Sequence, residues 1–335
     1  MSLQERYLPA LQEEMRRIVG ESGEPTLLYG MLAYHLGWVD ERFAPVEGDG
    51  GKHIRPTILL LTTEAQQGVW RQALPAAVAV ELLHAFTLIH DDIEDRDTLR
   101  RGRPTLWSVW GVPQAINAGD ALFAISYRAM LELNATGVSP HRVLVALGRF
   151  TETVIRIMEG QCRDLQFEDE ANVDESTYLE MIAGKTAALI GLAAELGGII
   201  AGCTDARAEA LREFGEALGR AYQMHDDLLG LWGDPQQTGK PVGSDLRRHK
   251  KTLPILHGLA RSRELRDMLS SPDLDESQIH RALRVLEDVG SRSYTEAKVA
   301  AFHREAFSAL ARSGGIGEAQ ETLTSLAERL AHRQR

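Results

Sequence analysis

ALPAAVAVELLHAFTLIHDDIED, residues 73–95, is the stretch that decides the fold class. Pro75 stands near its start, where a first helical turn tolerates proline because the missing N–H would have no partner there. No helix breaker follows before Asp95, so the stretch predicts one helix of about six turns. It is largely apolar up to Ile89 and then ends in acids. We therefore expect a buried helix with a negatively charged end.

The other segments also repeat their apolar residues at the helical period. Residues 205–232 form a second long helical stretch that ends in acids, and Pro235 with its neighbouring glycines stops it. Thr177 and Glu180 have the spacing of a capping box and predict the start of another helix. No run of alternating β-branched residues favours a sheet, and no low-complexity linker divides the chain. The prediction is an all-α fold, a single-domain helical barrel or bundle over residues 1–335.

The composition disfavours several classes of function. The chain is 44% hydrophobic, and its net charge of −11 argues against binding to nucleic acid or an anionic membrane. Cys162 and Cys203 have no metal-ligand spacing and form no disulfide framework, which fits a reducing cytoplasm. The first residues lack the apolar core of a signal peptide. Residues 186–203 are apolar but contain Glu195, which favours a buried helix over an integral membrane span. We expect a cytoplasmic protein.

Two groups of aspartates indicate a metal site. Asp91 and Asp95 lie one helical turn apart on the same face, Asp92 lies beside them, and Asp226 and Asp227 repeat the arrangement. Carboxylates this close repel each other unless a cation lies between them, and oxygen ligands without Cys or His favour Mg²⁺ shared with substrate phosphates. In an antiparallel helical barrel the two helix ends would face each other across a cavity. The alternatives are a solvated helix end and, for Asp227, a surface acid.

Basic residues accompany both groups of acids. Each alone reads as a surface charge, or as a core histidine in the case of His84, but their occurrence around two acid groups favours sites for phosphorylated substrates. Diphosphate leaves readily only when its developing charge is neutralised, and apolar walls would protect a carbocation from water. The candidates are Lys52 and Arg55 in GGKHIRP (50–56), His84, Arg100, Arg101, Lys185, Thr186, Lys240 and Lys250.

Several motifs together carry a family resemblance. DDIED (91–95), RRGRPT (100–105), EGQCRDL (159–165), GKTA (184–187) and GKPVGSDLRRHKKTLP (239–254) occur in one order along the chain, after GGKHIRP. From about residue 50 to residue 254 the chain resembles the trans-isoprenyl diphosphate synthases of the polyprenyl synthetase family, and most of all a geranylgeranyl diphosphate synthase.

The resemblance implies a head-to-tail prenyltransferase that condenses isopentenyl diphosphate with an allylic prenyl diphosphate, commonly as a homodimer. Magnesium would be held by Asp91, Asp92, Asp95 and Asp226, with Asp227 a further candidate ligand. The residues implied to contact the allylic diphosphate are Arg100, Lys185, Gln223 and Lys240. Those implied to hold isopentenyl diphosphate are Lys52, Arg55, His84 and Arg101.

The chain departs from the family pattern in places. The second motif reads DDLLG, with Gly230 where many members have aspartate, and Asp234 lies one turn further on as a possible substitute. His53 stands where arginine is frequent, at a position not expected to touch substrate. Phe86 lies about 7.5 Å below Asp91 along the helix and would act as a floor under the growing product.

The product length implied is C20, with C15 or longer products left open. An aromatic residue at Phe86 without an insertion in the first motif resembles the C20-forming members, with Thr87 beside it, and plain core packing is the alternative role for Phe86. Two rival functions remain. A terpene cyclase on the same fold would need no isopentenyl pocket, and a non-catalytic regulatory subunit would typically lose aspartates of the first motif.

Overall fold

The computed structural model of the chain describes residues 3–20, 26–46, 51–170, 173–235, 241–271 and 273–331. Within these ranges the protein is almost entirely α-helical, as predicted. Its contacts divide it into two compact units, residues 1–149 with 193–208 and 315–320, and residues 150–192 with 209–314 and 321–335. The single domain over residues 1–335 stays a prediction.

The first half of the chain contains six helices and a short hairpin among its described residues. They are α1 (Leu3–Val19), α2 (Leu27–His35), α3 (Ile54–Ala65), α4 (Leu74–Glu94), β1 (Leu99–Arg100), β2 (Arg103–Pro104), α5 (Leu106–Trp110) and α6 (Val112–Glu132), with 3₁₀ turns at Trp70–Ala73 and Leu133–Ala135.

The second half continues in the same manner. Its helices are α7 (Pro140–Asp169), α8 (Glu175–Ile182), a π-helical turn (Ala183–Ala187), α9 (Ala188–Ala201), α10 (Asp205–Trp232), α11 (Ser244–Arg247), α12 (Leu253–Arg261), α13 (Arg263–Leu269), α14 (Glu276–Asp288), α15 (Ser291–Arg312) and α16 (Gly317–Ala331).

Helix α4 is the core element of the first unit and corresponds to the stretch that decides the fold class. It packs against α1, α3 and α6, and side chains such as Leu82 and Leu83 are fully buried. Burying each such leucine contributes about 2 kcal/mol relative to exposure. The apolar part of the helix is therefore anchored in the core, and its acidic end is fixed by that packing.

The hairpin after α4 is tied down by the segments around it. β1 and β2 pair antiparallel, and the Thr105 hydroxyl and the Trp107 indole N–H both donate to the Asp97 carbonyl at 2.8 Å. The Tyr34 hydroxyl of α2 donates to the Pro104 carbonyl at 2.8 Å. These bonds hold Arg100 on a short, defined loop directly after the acidic helix end.

Within the described part of the chain, two helical stretches are long and apolar enough to cross a membrane by length and composition alone. They are residues 70–94 and 175–201, and 72% and 78% of their most apolar windows are buried inside the protein. Burial of this kind is typical of core helices. The second stretch contains most of residues 186–203, whose interpretation as a buried helix agrees with this burial.

The capping-box prediction was wrong. The Asp174 side chain accepts the backbone N–H of Thr177 at 2.8 Å, and α8 begins at Glu175, two residues before the predicted cap. Aspartate and threonine are both good N-caps, and the residue whose backbone is extended takes the position. In α8 that residue is Asp174, with φ −91° and ψ 168°.

Candidate functional site

The acids of DDIED lie at the last turn of α4, in the first unit. Asp92 is 2% exposed, and its Oδ1 accepts a hydrogen bond of 2.7 Å from Nε of Arg100. Asp91 and Asp95 are partly buried. Because carboxylates at the C-terminal end of a helix meet the negative end of its dipole, they are disfavoured there without a cation. The turn is therefore a locally negative position suited to a cation.

Basic side chains of the first unit gather around His84, which lies two turns before Asp91 on α4. Burial lowers the pKa of His84 well below its ordinary value, and the nearby cations of Arg55, Arg101 and Arg100 lower it further. Arg55 comes from the start of α3, and the other two arginines come from the hairpin. The structure thus brings these four predicted residues together, with a neutral imidazole among three guanidinium groups, as an anion site requires.

The GGKHIRP segment is held at the start of α3 by a buried pair. Nδ1 of His53 lies 2.8 Å from Oε1 of Glu81 on α4, and both side chains are buried. Gly51 lies so close to Arg101 that a Cβ there would come within 2.6 Å of its Nη1. Lys52 is exposed between these two contacts. His53 therefore has a structural partner, while Lys52 is presented on the surface of the same segment.

His35, at the end of α2, joins this basic group and was not identified from the sequence. Burial lowers its pKa to about 3, and Arg100, Arg101 and Arg103 each lower it as well. The imidazole is consequently neutral at physiological pH. A single histidine at the end of a short helix far from the motifs gives no sequence signal that could have found it.

In the second unit, Asp227 is buried in a hydrogen-bond network, so its interpretation as a surface acid is wrong. The Tyr178 hydroxyl donates to Oδ2, Nε2 of Gln223 donates to Oδ1 at 3.2 Å, and the Leu253 N–H lies 3.4 Å from Oδ2. Burial raises the pKa of Asp227 to about 7, although these donors oppose the rise. Asp226 beside it on α10 is partly buried.

Gly230, the departure in the second motif, lies against Asp245. A Cβ at position 230 would come within 2.1 Å of Oδ2 of Asp245, so an aspartate there would have to displace that carboxylate. Asp234, the substitute suggested by the sequence, is exposed beyond the end of α10. Asp245 was not identified from the sequence because it follows the motif by fifteen positions and reaches Gly230 only through the fold.

Lys185 lies on the π-helical turn Ala183–Ala187, a local widening that often occurs at functional positions. Its ammonium group pairs with Asp164 of α7 at 2.5 Å. The turn approaches α7 so closely that a Cβ on Gly160 would lie 2.2 Å from the backbone nitrogen of Lys185. Asp164 lies in the EGQCRDL motif, but nothing in that motif indicates its partner.

The remaining predicted residues of the second unit are placed as follows. The Thr186 hydroxyl donates to Oε1 of Gln223 at 2.8 Å, which links it to the Asp227 network. Lys250 is exposed, and its backbone N–H donates to the Asp245 carbonyl at 2.9 Å. Lys240 lies outside the described residues.

Phe86, the candidate floor residue, is 6% exposed and belongs to an aromatic cluster. Its ring lies 4.7 Å from His90 and 5.2 Å from Phe123 of α6, centre to centre. Thr87 is partly buried, and its hydroxyl donates to the His84 carbonyl at 2.8 Å. Phe86 therefore has core contacts on α6, and Phe123 is a neighbour that the sequence did not indicate.

The aspartates of the two motifs offer the oxygen ligands that a hard divalent cation needs. Among the described residues, no three His, Cys, Asp or Glu side chains lie close enough together to form a ready metal cage. Mg²⁺ does not require one, because it keeps several waters and binds through one or two carboxylates with substrate phosphates. In the first unit the carboxylate oxygens of Asp91 and Asp92 are donors of this type, and in the second unit so are those of Asp226.

Comparison with known proteins gives consistent sequence matches. A family model described as polyprenyl synthetase matches residues 38–286. A (2E,6E)-farnesyl diphosphate synthase of Mycobacterium bovis is 38% identical over 312 residues, covering 91% of this chain and 86% of the relative. A geranylgeranyl diphosphate synthase of Mycobacterium tuberculosis is 42% identical over 282 residues, covering 82% and 79%.

Solved structures match as well. A polyprenyl synthetase from Streptomyces coelicolor superposes with a TM-score of 0.88 at 35% identity, covering 97% of this chain and 98% of that one. A polyprenyl synthase from Caulobacter crescentus, complexed with calcium and isoprenyl diphosphate, gives a TM-score of 0.83 at 30% identity, covering 99% and 97%. The similarity extends over nearly the whole of each chain.

Proposed function

Because this chain belongs to the polyprenyl synthetase family, we propose that it condenses isopentenyl diphosphate head to tail with an allylic prenyl diphosphate. The observation that carries the proposal is that acids end α4 while arginines from α3 and the hairpin gather around His84 of the same helix. Asp91, Asp92 and Asp95 end the helix, and three arginines surround His84 two turns earlier. A metal-binding acid group next to an anion-binding group suits the handling of diphosphates.

Mg²⁺ would be held by Asp91, Asp92, Asp95 and Asp226, with Asp227 as a further candidate. The calcium in the complex of the Caulobacter relative supports a divalent cation. When bound, the metal neutralises charge on the departing diphosphate. Arg100 of the hairpin donates to Asp92 at 2.7 Å and would exchange this contact for the allylic diphosphate.

The basic and polar side chains would then divide between the two substrates. Arg100, Lys185, Gln223 and Lys240 would contact the allylic diphosphate, with Thr186 and Lys250 nearby in sequence. Lys52, Arg55, His84 and Arg101 would orient isopentenyl diphosphate. The allylic C–O bond breaks, the isopentenyl double bond attacks the allylic cation, and a proton leaves to the released diphosphate.

The reaction itself is tested by incubation with Mg²⁺, labelled isopentenyl diphosphate and each of three allylic starters, followed by product sizing. Linear products that contain the label support the proposal. Cyclic hydrocarbon formed without isopentenyl diphosphate would indicate a terpene cyclase. Absence of turnover with every starter would indicate a non-catalytic subunit.

We propose C20 as the product length, and Phe86 as the residue that sets it. The relatives include both farnesyl and geranylgeranyl synthases, so the family alone does not give the product length. The length would depend on the residue that forms the floor of the site. Phe86→Ala removes a buried ring and should lengthen the product by at least one C5 unit, whereas Phe86→Trp should shorten it. Radio-chromatography of dephosphorylated products measures both. Equal chain lengths in both variants and the wild type would remove Phe86 as the floor.

Burial raises the pKa of Asp92 to about 6 and that of Asp227 to about 7. These shifts predict that the stability of the metal-free protein and its affinity for metal change in opposite directions with pH. In metal-free protein the folded state holds these protons more tightly than the unfolded chain, whose aspartates titrate near 3.8. The contribution of these two groups to stability is thus full below about pH 4 and is lost as the pH rises through 6 to 7. Metal binds the deprotonated groups, so metal affinity rises over the same range.

We therefore expect the Tm in EDTA to fall between about pH 5 and about pH 8. Excess Mg²⁺ should raise the Tm by several degrees near pH 8 and by little near pH 5. Differential scanning calorimetry measures both curves. A Mg²⁺ effect of the same size at both pH values would contradict the assignment of these buried carboxylates as metal ligands.

We propose that the protein is a homodimer. On α6, Val112, Ile116 and Leu131 are exposed and lie within about 100° of one another around the helix, and Leu144 and Val145 are exposed on α7. Exposed apolar side chains on one side of a helix favour an interface. A soluble cytoplasmic homodimer is the state we expect.

The double variant Ile116→Asp with Leu144→Asp should sediment as a monomer, whereas the wild type should sediment at twice the 37.0 kDa chain mass. Burying two carboxylates in an apolar interface is strongly unfavourable. Ile316→Asp is the matched control, because Ile316 is also an exposed isoleucine but belongs to neither helix, and its backbone N–H donates to the Ala65 carbonyl of α3 at 3.0 Å. Dimer formation by the double variant would exclude this surface as the interface.

A further inference from the structure

The second unit contains a cavity of about 570 Å³ between the end of α10 and helix α15, with Ala331 of α16 at its edge. Leu228 and Trp232 supply its wall from α10, and Val299 and Phe307 supply it from α15. Cavities of this size, mostly apolar with a few polar groups, are typical of sites for small organic ligands. We call it the α10–α15 groove.

The groove lies on the opposite side of α10 from the acids. Its lining residues on that helix recur every three to four positions from His225 to Trp232. At 100° per residue, this stripe lies about 160° round the helix from the centre of Gln223, Asp226 and Asp227. The groove is therefore separate from the carboxylates of the second motif, although both lie on the same turns of one helix.

The charges of the groove favour an anion. Arg292 lies at one end of the groove on α15, Arg304 lies about one turn before its other end at Phe307, and His225 and His303 also line it. Its one carboxylate, Glu296, is paired with Arg292 at 3.1 Å. No described carboxylate pairs with Arg304, which is exposed. On a protein with a net charge of −11, an apolar groove with an available guanidinium group is a local site for negative charge.

The length of the groove favours a linear ligand. Arg292 and Arg304 are twelve residues apart on one helix, which corresponds to about 18 Å along the axis. A compact ring would leave much of this length unfilled, whereas an extended hydrocarbon chain would lie along Val299 with its head at Arg304. We propose that the α10–α15 groove binds a linear amphipathic anion, a hydrocarbon chain with a terminal phosphate or carboxylate.

The test is titration calorimetry of the full-length protein with dodecyl phosphate, below its micelle threshold and in EDTA. Arg304→Glu removes the cation, and Ala300→Trp fills the groove, where Ala300 is exposed and should tolerate the change. The matched controls are Arg284→Glu and Ala297→Trp, at exposed positions that do not line the groove. We expect both groove variants to weaken binding at least tenfold and both controls to stay within twofold of the wild type.

Binding of dodecyl phosphate that is equal in the wild type and both groove variants would overturn the proposal, as would equal weakening in the controls. Two further probes identify the source of the ligand. Tighter groove-dependent binding of farnesyl monophosphate than of palmitate would indicate an isoprenoid phosphate, and the reverse order a fatty acid. The result is independent of the proposed prenyl transfer, since failure of either experiment leaves the other outcome unaffected.

Discussion

Asp91→Ala should lower kcat/KM roughly 10²–10⁴-fold, the largest effect expected of any single change in this protein. Asp91 lies at the C-terminal turn of α4, where the helix dipole already disfavours carboxylates and a cation is needed to balance them. The variant would lose the metal contact proposed for Asp91, which would act when charge develops on the leaving diphosphate. Steady-state kinetics with saturating Mg²⁺ and labelled isopentenyl diphosphate measure the loss.

Glu94→Ala is the matched control for Asp91→Ala. Glu94 belongs to the same DDIED motif and carries the same charge, but it is exposed and lies at a position that the motif leaves variable. Its loss should change kcat/KM by less than threefold. An Asp91→Ala variant that also stays within threefold of wild type would refute the role given to Asp91.

Lys185→Ala should lower kcat about 10²–10³-fold, because one preorganised cation on a developing negative charge has an effect of this size. Without substrate its ammonium group pairs with Asp164, and the π-helical turn holds it against α7. We expect an arriving diphosphate to replace Asp164 as its partner. Lys185→Arg keeps the charge with a different geometry and should restore part of the rate.

Lys298→Ala is the corresponding control in the same unit. Lys298 forms a similar ion pair, 2.7 Å from Glu175, and its side chain is comparably exposed. Loss of this pair should change stability slightly and leave kcat near the wild-type value. Equal losses of kcat in Lys185→Ala and Lys298→Ala would show that the ion pair matters for folding and not for the reaction.

The helical class was predictable because helix formation depends on neighbours within a turn or two. Residues 73–95 contain every feature of α4, from Pro75 at the first turn to the acids at the last. Prediction from neighbouring residues was wrong at the start of α8, where Asp174 and Thr177 are both suitable N-caps. The extended backbone at Asp174 makes it the N-cap.

The acidic and basic motifs could also be found from chemistry and spacing, since carboxylates one turn apart at the end of an apolar helix favour a bound cation. Their partners were not. Arg100 meets Asp92 through the hairpin, Lys185 meets Asp164 across two helices, and Asp245 lies against Gly230. None of these pairs follows from periodicity.

The amino-acid sequence by itself determined that this protein is helical, that α4 ends at the acids of DDIED and that α10 spans residues 205–232. Only the tertiary structure decided that Asp227 is buried beneath Tyr178 and that His35 joins the arginines near His84. The physical reason is range: helical periodicity and charge spacing act within a few residues, whereas burial and the contacts between distant residues arise only when whole helices pack.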